Sequence, residues 1–405
     1  MWLMAIESDS IGIGAEIRRM RRWRGMTLEA LAGQAGISKG YLSKIENGHA
    51  ALDRRSTLAA IARALRVSLT DLGAEHVLAD HEDHEANGAI PDIRFALLAT
   101  SLDDAEKPAI RSADELATET DRLAEARQAC RYSEVGHALP ALLTELHATA
   151  ALGHGGERES ALRSLVQAAQ VTTLLVKNLG AVDLAWVAAE RGHQAATRLG
   201  DPLWVAASEF ARTQALIGLG AYARADALAR KALDLLRTDS EPALEVYGTS
   251  VLTAGFCGSV TGSDDPVAAI AEAQDIAGRA EGTNAFYLAF SPTNVDLWRV
   301  SIALESDDPV QAAEVASGVD IDKIPMKSRQ TAFLIDHARA LHALRGRDAD
   351  VVNLLRQAER LGPTRTRHNI WAREIVAELV QRARRDAGGR ELRGLADRMG
   401  LLGAI

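Results

Sequence analysis

The stretch from Thr27 to Gly48 leaves the chain few conformations. Leu28, Leu31, Ala32 and Ala35 recur at i, i+3, i+4 and i+7, Gly36 and Ser38 follow, and a second run carries Tyr41, Leu42 and Ile45. This spacing predicts a helix with one apolar stripe, a turn and a second helix. Gly36 stands where a helix end needs a residue tolerant of positive φ, and Ser38 is placed to cap the second helix. A helix advances about 100° per residue, so counting from Lys39 the side chains of residues 40, 43, 44 and 47 fall within about 140° of one another. Tyr41, Leu42 and Ile45 fall on the other side. The second helix therefore has an apolar back that seats it and a polar front that faces outward.

The chemistry of that front suits DNA. A lysine can donate to O6 and N7 of guanine in the major groove, and Gly40 leaves room for close backbone approach. Ahead of the pair, Arg18-Arg19-Met20-Arg21-Arg22-Trp23-Arg24 places Ile17, Met20 and Trp23 inward and most of its arginines outward. The run is either a solvated face of the first helix or, beside a reading helix, a phosphate clamp. Residues 1–73 hold 11 Lys+Arg against 7 Asp+Glu, a net charge of +4, so the other 332 residues carry -13 of the chain's total of -9. Only the N-terminal unit suits a polyanion, and an acidic body repels non-specific DNA.

In order and spacing, Glu29-x-Leu31-Ala32, Ala35-Gly36-Ile37-Ser38, Tyr41-Leu42-Ser43-x-Ile45-Glu46-Asn47-Gly48 and Leu58-x-x-Ile61-Ala62-x-Ala64-Leu65-x-Val67 resemble the Cro/repressor-like helix-turn-helix family, the Xre-type regulators. The likeness runs from about Ile13 to Leu72. It implies a five-helix DNA-binding domain whose third helix lies in the major groove. By that resemblance Lys39, Gly40, Ser43 and Lys44 match base-facing positions, Ser38 and Asn47 match backbone-contacting ones, and Thr27, Arg54 and Arg55 complete the expected DNA-binding set. The chain departs from the family pattern twice. Leu28 stands where a phosphate-contacting Gln is usual, and the loop His49-Ala50-Ala51-Leu52-Asp53-Arg54-Arg55 lacks the usual Pro. Its Asp-Arg-Arg-Ser form resembles actinobacterial regulators that carry a long helical C-terminal half.

At 405 residues, 47% hydrophobic and 25% charged, the composition is that of a soluble globular protein of two or more domains. Ten prolines, 4% aromatics and no sustained alternating pattern argue for an all-α chain. Cys130 and Cys257 are too far apart for a metal cluster and read as buried thiols. There is no basic leader with an apolar core and no run of 18 apolar residues, so a cytoplasmic protein without a membrane segment is expected. Residues 1–73 are read as the DNA-binding domain and 74–92 as a polar linker. The linker's His81-x-x-His84, flanked by carboxylates, is more simply a solvated connector than a metal site, so no metal or cofactor is expected.

From residue 93 to residue 405, apolar helical segments alternate with breaks at Gly153-His154-Gly155-Gly156, Gly200-Asp201-Pro202, Gly218-Leu219-Gly220, Gly262, Gly282, Gly346 and Gly362-Pro363. That is the punctuation of helical hairpins. Ser263-Asp264-Asp265-Pro266-Val267-Ala268-Ala269 returns as Ser306-Asp307-Asp308-Pro309-Val310-Gln311-Ala312, an offset of 43 residues, each copy offering an Asp cap and a first-turn Pro. Gly220-Ala221-Tyr222-x-x-Ala225-x-x-x-Ala229-x-x-Ala232-Leu233 is similar to the second helix of a tetratricopeptide repeat. The expectation is a right-handed α-solenoid of about six to eight tetratricopeptide-like hairpins, because each pair can bury its apolar face only against its neighbours. Hairpins should begin near Ser112, Arg158, Pro242, Ser291, Lys327 and Arg367. Trp186, Trp204, Trp298 and Trp371 read as inter-repeat packing rather than an aromatic ligand wall.

A solenoid's concave side is its usual binding surface, and Arg212, Asn294, Arg299, Arg329, His337, Asn369 and Arg373 are the candidates there for a peptide or small ligand. In architecture the chain resembles peptide-pheromone receptor regulators. The resemblance implies a homodimer on a palindromic, double-stranded operator, its affinity set by a signalling peptide or small-molecule effector. The alternative is an interaction scaffold tethered to DNA without a small ligand. Catalysis is not expected, since Gly-x-Ser-x-Gly, Gly-x-x-x-x-Gly-Lys and His-Glu-x-x-His are all missing.

Overall fold

Caps divide the chain where glycine, aspartate and serine predict. Thr27 Oγ1 accepts from the Ala30 amide and Ser38 Oγ from the Tyr41 amide, both at 3.1 Å, while Gly36 turns at φ 69° between them. Asp265 and Asp308 cap the two copies of the 43-residue repeat, and Pro266 and Pro309 sit in the first turns of the helices they open. The molecule is known from a computed structural model that describes residues 13–402 apart from 51, 53, 68, 70–71, 73–85, 106, 264 and 387–388. Every regular element among the described residues is helical.

Four helices build the N-terminal unit: α1 (Ile13–Trp23), α2 (Leu28–Ala35), α3 (Lys39–Glu46) and α4 (Arg55–Leu65). Their buried faces meet through Ile17, Leu31, Leu42, Ile45, Leu58 and Ile61. The fifth expected helix, beyond Val67, lies largely outside the described residues. α1 crosses α3 so closely that a methyl group on Gly14 would collide with the Ile45 carbonyl. Nothing in the periodicity marks that glycine as a packing residue.

The helical half opens with α5 (Ile90–Ala99). Hairpins follow as α6 (Ala113–Gln128) with α7 (Tyr132–Leu152), α8 (Gly155–Asn178) with α9 (Val182–Leu199), and α10 (Pro202–Gly218) with α11 (Tyr222–Leu235). Then come α12 (Glu241–Thr261) with α13 (Pro266–Arg279), α14 (Pro292–Glu305) with α15 (Pro309–Gly318), and α16 (Lys327–Leu344) with α17 (Asp348–Leu361). A short α18 (Pro363–Arg367), α19 (Ile370–Asp386) and α20 (Arg390–Arg398) complete the described chain. Small side chains let paired helices approach: Ala225, Ala229 and Ala232 are buried along α11, and a Cβ on Gly192 of α9 would lie 2.8 Å from that of Ala169 on α8.

The first helices of successive hairpins, α6, α8, α10, α12, α14 and α16, pack one against the next, and α16 comes round to touch α6. The helical layer thus returns upon itself. Part of its inner side is covered by the segment between α13 and α14. There Gln128 donates to the Asn284 side chain at 3.3 Å and the Tyr287 carbonyl at 3.1 Å, Gln170 donates to the Phe286 carbonyl at 2.7 Å, and Tyr287 donates to Asp121 at 2.8 Å. Asn284, Phe286, Tyr287 and Ala289 all hold positive φ, backbone states that these anchors must sustain.

Two expectations change here. Residues 86–92, read as linker, are not a free connector: Ala86 and Ala89 are buried, Ala89 lies against Gly136 of α7, and α5 starts at Ile90. The linker's histidine pair lies outside the described residues. The N-terminal unit also has more than a covalent connection to the rest. One continuous apolar core joins Leu58 and Ile61 to Leu334, Trp371 and Val376, and Glu374 accepts from the Ile13 amide at 2.9 Å. Of the cysteines, Cys257 is buried as expected and Cys130 half-buried.

Candidate nucleic-acid interface and the inner helical face

Leu42, Ile45 and Glu46 bury the back of α3, and a fork fixes its end: Arg21 Nε and Nη2 bind the two Glu46 carboxylate oxygens at 2.6 and 2.8 Å. Arg21 Nη1 also donates to the Met26 carbonyl at 2.9 Å. A bidentate pair at this depth orients the helix as well as holding it. Arg21 is thus structural. Its neighbours divide: Arg19 pairs with Glu16, Arg24 donates to the Arg66 carbonyl and stacks on Trp23, and Arg18 donates to Asn47 at 3.2 Å. Trp23, read as inward, is 74% exposed, because it ends α1 beyond the last residue of the core stripe.

The front of α3 faces water. Lys39, Gly40, Lys44 and Asn47 are exposed and Ser43 half-buried, with open space beyond the Gly40 Cα. Lys39 is paired with Glu29 on α2, and that hydrogen bond holds the Glu29 carboxyl below its usual range. Such an exposed pair is worth little and yields readily to a stronger anion. Asn47 caps α3 by donating from its side chain to the Ser43 carbonyl at 2.7 Å. Thr27 and Ser38 spend their hydroxyls as caps, which leaves them beside the front rather than on it.

Arg54 and Arg55, read as DNA contacts, point the other way. Arg54 Nε meets Asp307 at 3.0 Å. Arg55 Nε and its backbone amide both reach Glu305, at 2.9 and 3.1 Å, and its guanidinium lies over the Phe256 and Trp371 rings. They dock the N-terminal unit onto α14 and α19. The adjacent acids are some 250 residues away in sequence, so local pattern carries no sign of them.

The seven candidates for the inner face are not gathered into one site. Arg212 is buried between Glu190 and Glu209, at 2.6 and 2.8 Å, over Trp186. Asn369 caps α19 by accepting from the amides of Trp371 and Ala372, each at 3.0 Å, and Arg373 donates to the Arg367 and Met399 carbonyls. These three hold the scaffold together. His337 lines a separate open groove with Leu341, Arg347 and Asp350, and burial pushes its pKa down. Arg299 lies near Asp296. Asn294 and Arg329 do meet: Arg329 Nε donates to Asn294 Oδ1 at 2.8 Å, over Trp298. The tryptophans pack as expected, with an addition: Trp186, Trp298 and Trp371 each lie under an arginine.

Residues 13–74 match the family described as a helix-turn-helix domain. Over 72 residues the chain is 36% identical to an uncharacterized HTH-type transcriptional regulator, RghRB, of Bacillus subtilis strain 168, which covers 17% of this chain and 52% of the relative. The chain thus spans about half the length of that curated relative. A crystal structure of Bacillus thuringiensis PlcR in complex with the peptide PapR7 and DNA overlaps 88% of this chain and 94% of its own at 10% identity and a TM-score of 0.37, a likeness too distant to carry the fold. The N-terminal unit is a helix-turn-helix domain. No described helix is long and apolar enough to cross a membrane, and no group of three metal-ligating side chains occurs among the described residues.

Proposed function

We propose that the protein is a transcriptional regulator that reads double-stranded DNA with the front of α3, as a homodimer on a palindromic operator, and that its helical half senses an effector. One observation carries the reading: in a domain of net charge +4, Lys39, Gly40, Lys44 and Asn47 share one exposed helix face whose back is locked by Leu42, Ile45 and the Arg21–Glu46 fork. A rigid helix with exposed donors on its front is what major-groove readout requires. Two such helices about 34–36 Å apart span one turn of DNA.

The docking contacts supply a route for control. α4 and the start of α1 rest on Glu305, Asp307 and Glu374, so any ligand that moves α14 or α19 moves the reading helix with them. A dimer needs only a change in the spacing of its two heads. The test is binding of the full chain to genomic fragments that it selects from the source organism. Lys39→Ala and Lys44→Ala should each abolish selection while far-ultraviolet circular dichroism stays unchanged. Selection of the same fragments by both variants would show that α3 does not read them.

A further inference from the structure

Four cations converge inside the helical layer without acids of their own. Arg127 ends α6, Lys177 lies at the end of α8, Arg329 is in the first turn of α16 and Arg365 is in α18. Lys177 feels all three arginines, and Arg329 feels both others. Among the described residues none of the four is hydrogen-bonded to a carboxylate. Among those residues Lys177 Nζ donates to Gln214 at 2.8 Å and Arg329 to Asn294. Arg127 is 6% exposed, and its Nε has no partner. The other three are half-buried, so solvent reaches each in part.

The nearest acids are already engaged. Asp336 accepts from Ser301 at 2.6 Å and Arg339 at 3.0 Å, and Glu305 holds Arg55 and Arg339. Helix dipoles explain part of the arrangement, since a cation at a helix C-terminus is favoured. That covers Arg127 and Lys177 but not Arg329, which sits at the opposite end of its helix. Burial first, and then the neighbouring arginines, pushes Lys177 down to about 7 and Arg329 to about 10; burial does the same to Arg127, also to about 10. Buried charge without a counter-charge is costly, and an arriving anion removes that cost.

We propose that Arg127, Lys177, Arg329 and Arg365 form the seat for the oxyanion of a small ligand, a carboxylate or a phosphate, within the helical half. This rests on the effector reading above and specifies the ligand's charge. Guanidinium forks match either oxyanion. Tyr132 joins the seat: it accepts from Asn178 at 2.9 Å and shares a hydrogen bond with Arg365.

The test is the melting temperature of the full chain with three probes: inorganic phosphate, N-acetyl-alanyl-alanine, and the same dipeptide as its amide, all against sodium chloride at equal ionic strength. An occupied seat should raise the melting temperature by about 2 °C at ten times the dissociation constant. Phosphate alone would mark a phosphate ester, and the free acid without the amide a carboxylate. Arg127→Met should melt no lower than wild type without the probe and lose the shift, as should Arg365→Gln, while Lys44→Ala keeps it. No shift with any probe overturns the seat, and so does a shift that survives both inner variants. If Arg127→Met does not fold, Arg365→Gln decides. Selection of DNA is measured separately, so a chain that selects DNA but ignores all probes loses only the seat.

Discussion

On α3 the cations stand in water, with Lys44 exposed and Lys39 tied to an exposed glutamate. In the helical half, Arg212, Arg339 and Arg367 are buried, each bound to a buried glutamate. The same residue types thus do opposite work. Exposed cations on a seated helix remain available to a polyanion, whereas buried, forked ones fix geometry. Arg55, a few residues after α3, belongs with the second kind through the buried Glu305, and it ties the helix-turn-helix unit to the body; the Arg54–Asp307 pair beside it is exposed.

The largest effect should come from breaking the buried side of this contrast. Glu305→Ala leaves Arg55 without its acid and Arg339 with Asp336 alone, and should cost about 3–5 kcal/mol, read by chemical denaturation. A loss below about 1 kcal/mol would show that these pairs are not structural. Next, Gly14→Ala forces α1 off α3 and should cost about 1–3 kcal/mol and weaken DNA selection, although no DNA-facing residue is changed.

The dock should also respond to pH. Burial first, and then the nearby Glu378, raise Glu374 from 4.5 to about 7 despite the hydrogen bond from the Ile13 amide. A carboxyl whose folded pKa is raised stabilises the fold most below its unfolded value, and that contribution is lost as pH rises through about 7. Hydrogen exchange at the start of α1 should therefore quicken between pH 5 and 8 in wild type, and Glu374→Gln should flatten that profile. An unchanged profile in the variant would assign the effect to another group. The smallest effect belongs to Trp23→Ala, whose ring is exposed: stability should move by less than about 0.5 kcal/mol. A larger loss would place the ring in a contact.

Local physics explains what was legible. Caps and periodicity located α2, α3 and the repeat caps at Asp265 and Asp308, because a cap reaches only two or three residues along the chain. The hairpin starts near Ser112, Pro242, Ser291 and Lys327 were readable for the same reason. Long-range partners were not. That Arg21 faces inward to Glu46, that Arg55 meets Glu305 and that Arg212 meets Glu190 depends on which helices pack together. The anchored segment at Asn284–Ala289 was equally hidden, since its positive φ values are held by Gln128 and Gln170 from other hairpins.

The central claim, that the front of α3 reads DNA, is met most directly by the salt dependence of affinity for a selected fragment. If a dimer neutralises about 6–10 phosphates, affinity should fall by about 10³–10⁵ between 50 and 200 mM salt. Lys44→Ala should bind more weakly at every salt concentration. A flat salt response, or a Lys44→Ala variant that matches wild type throughout, would contradict it.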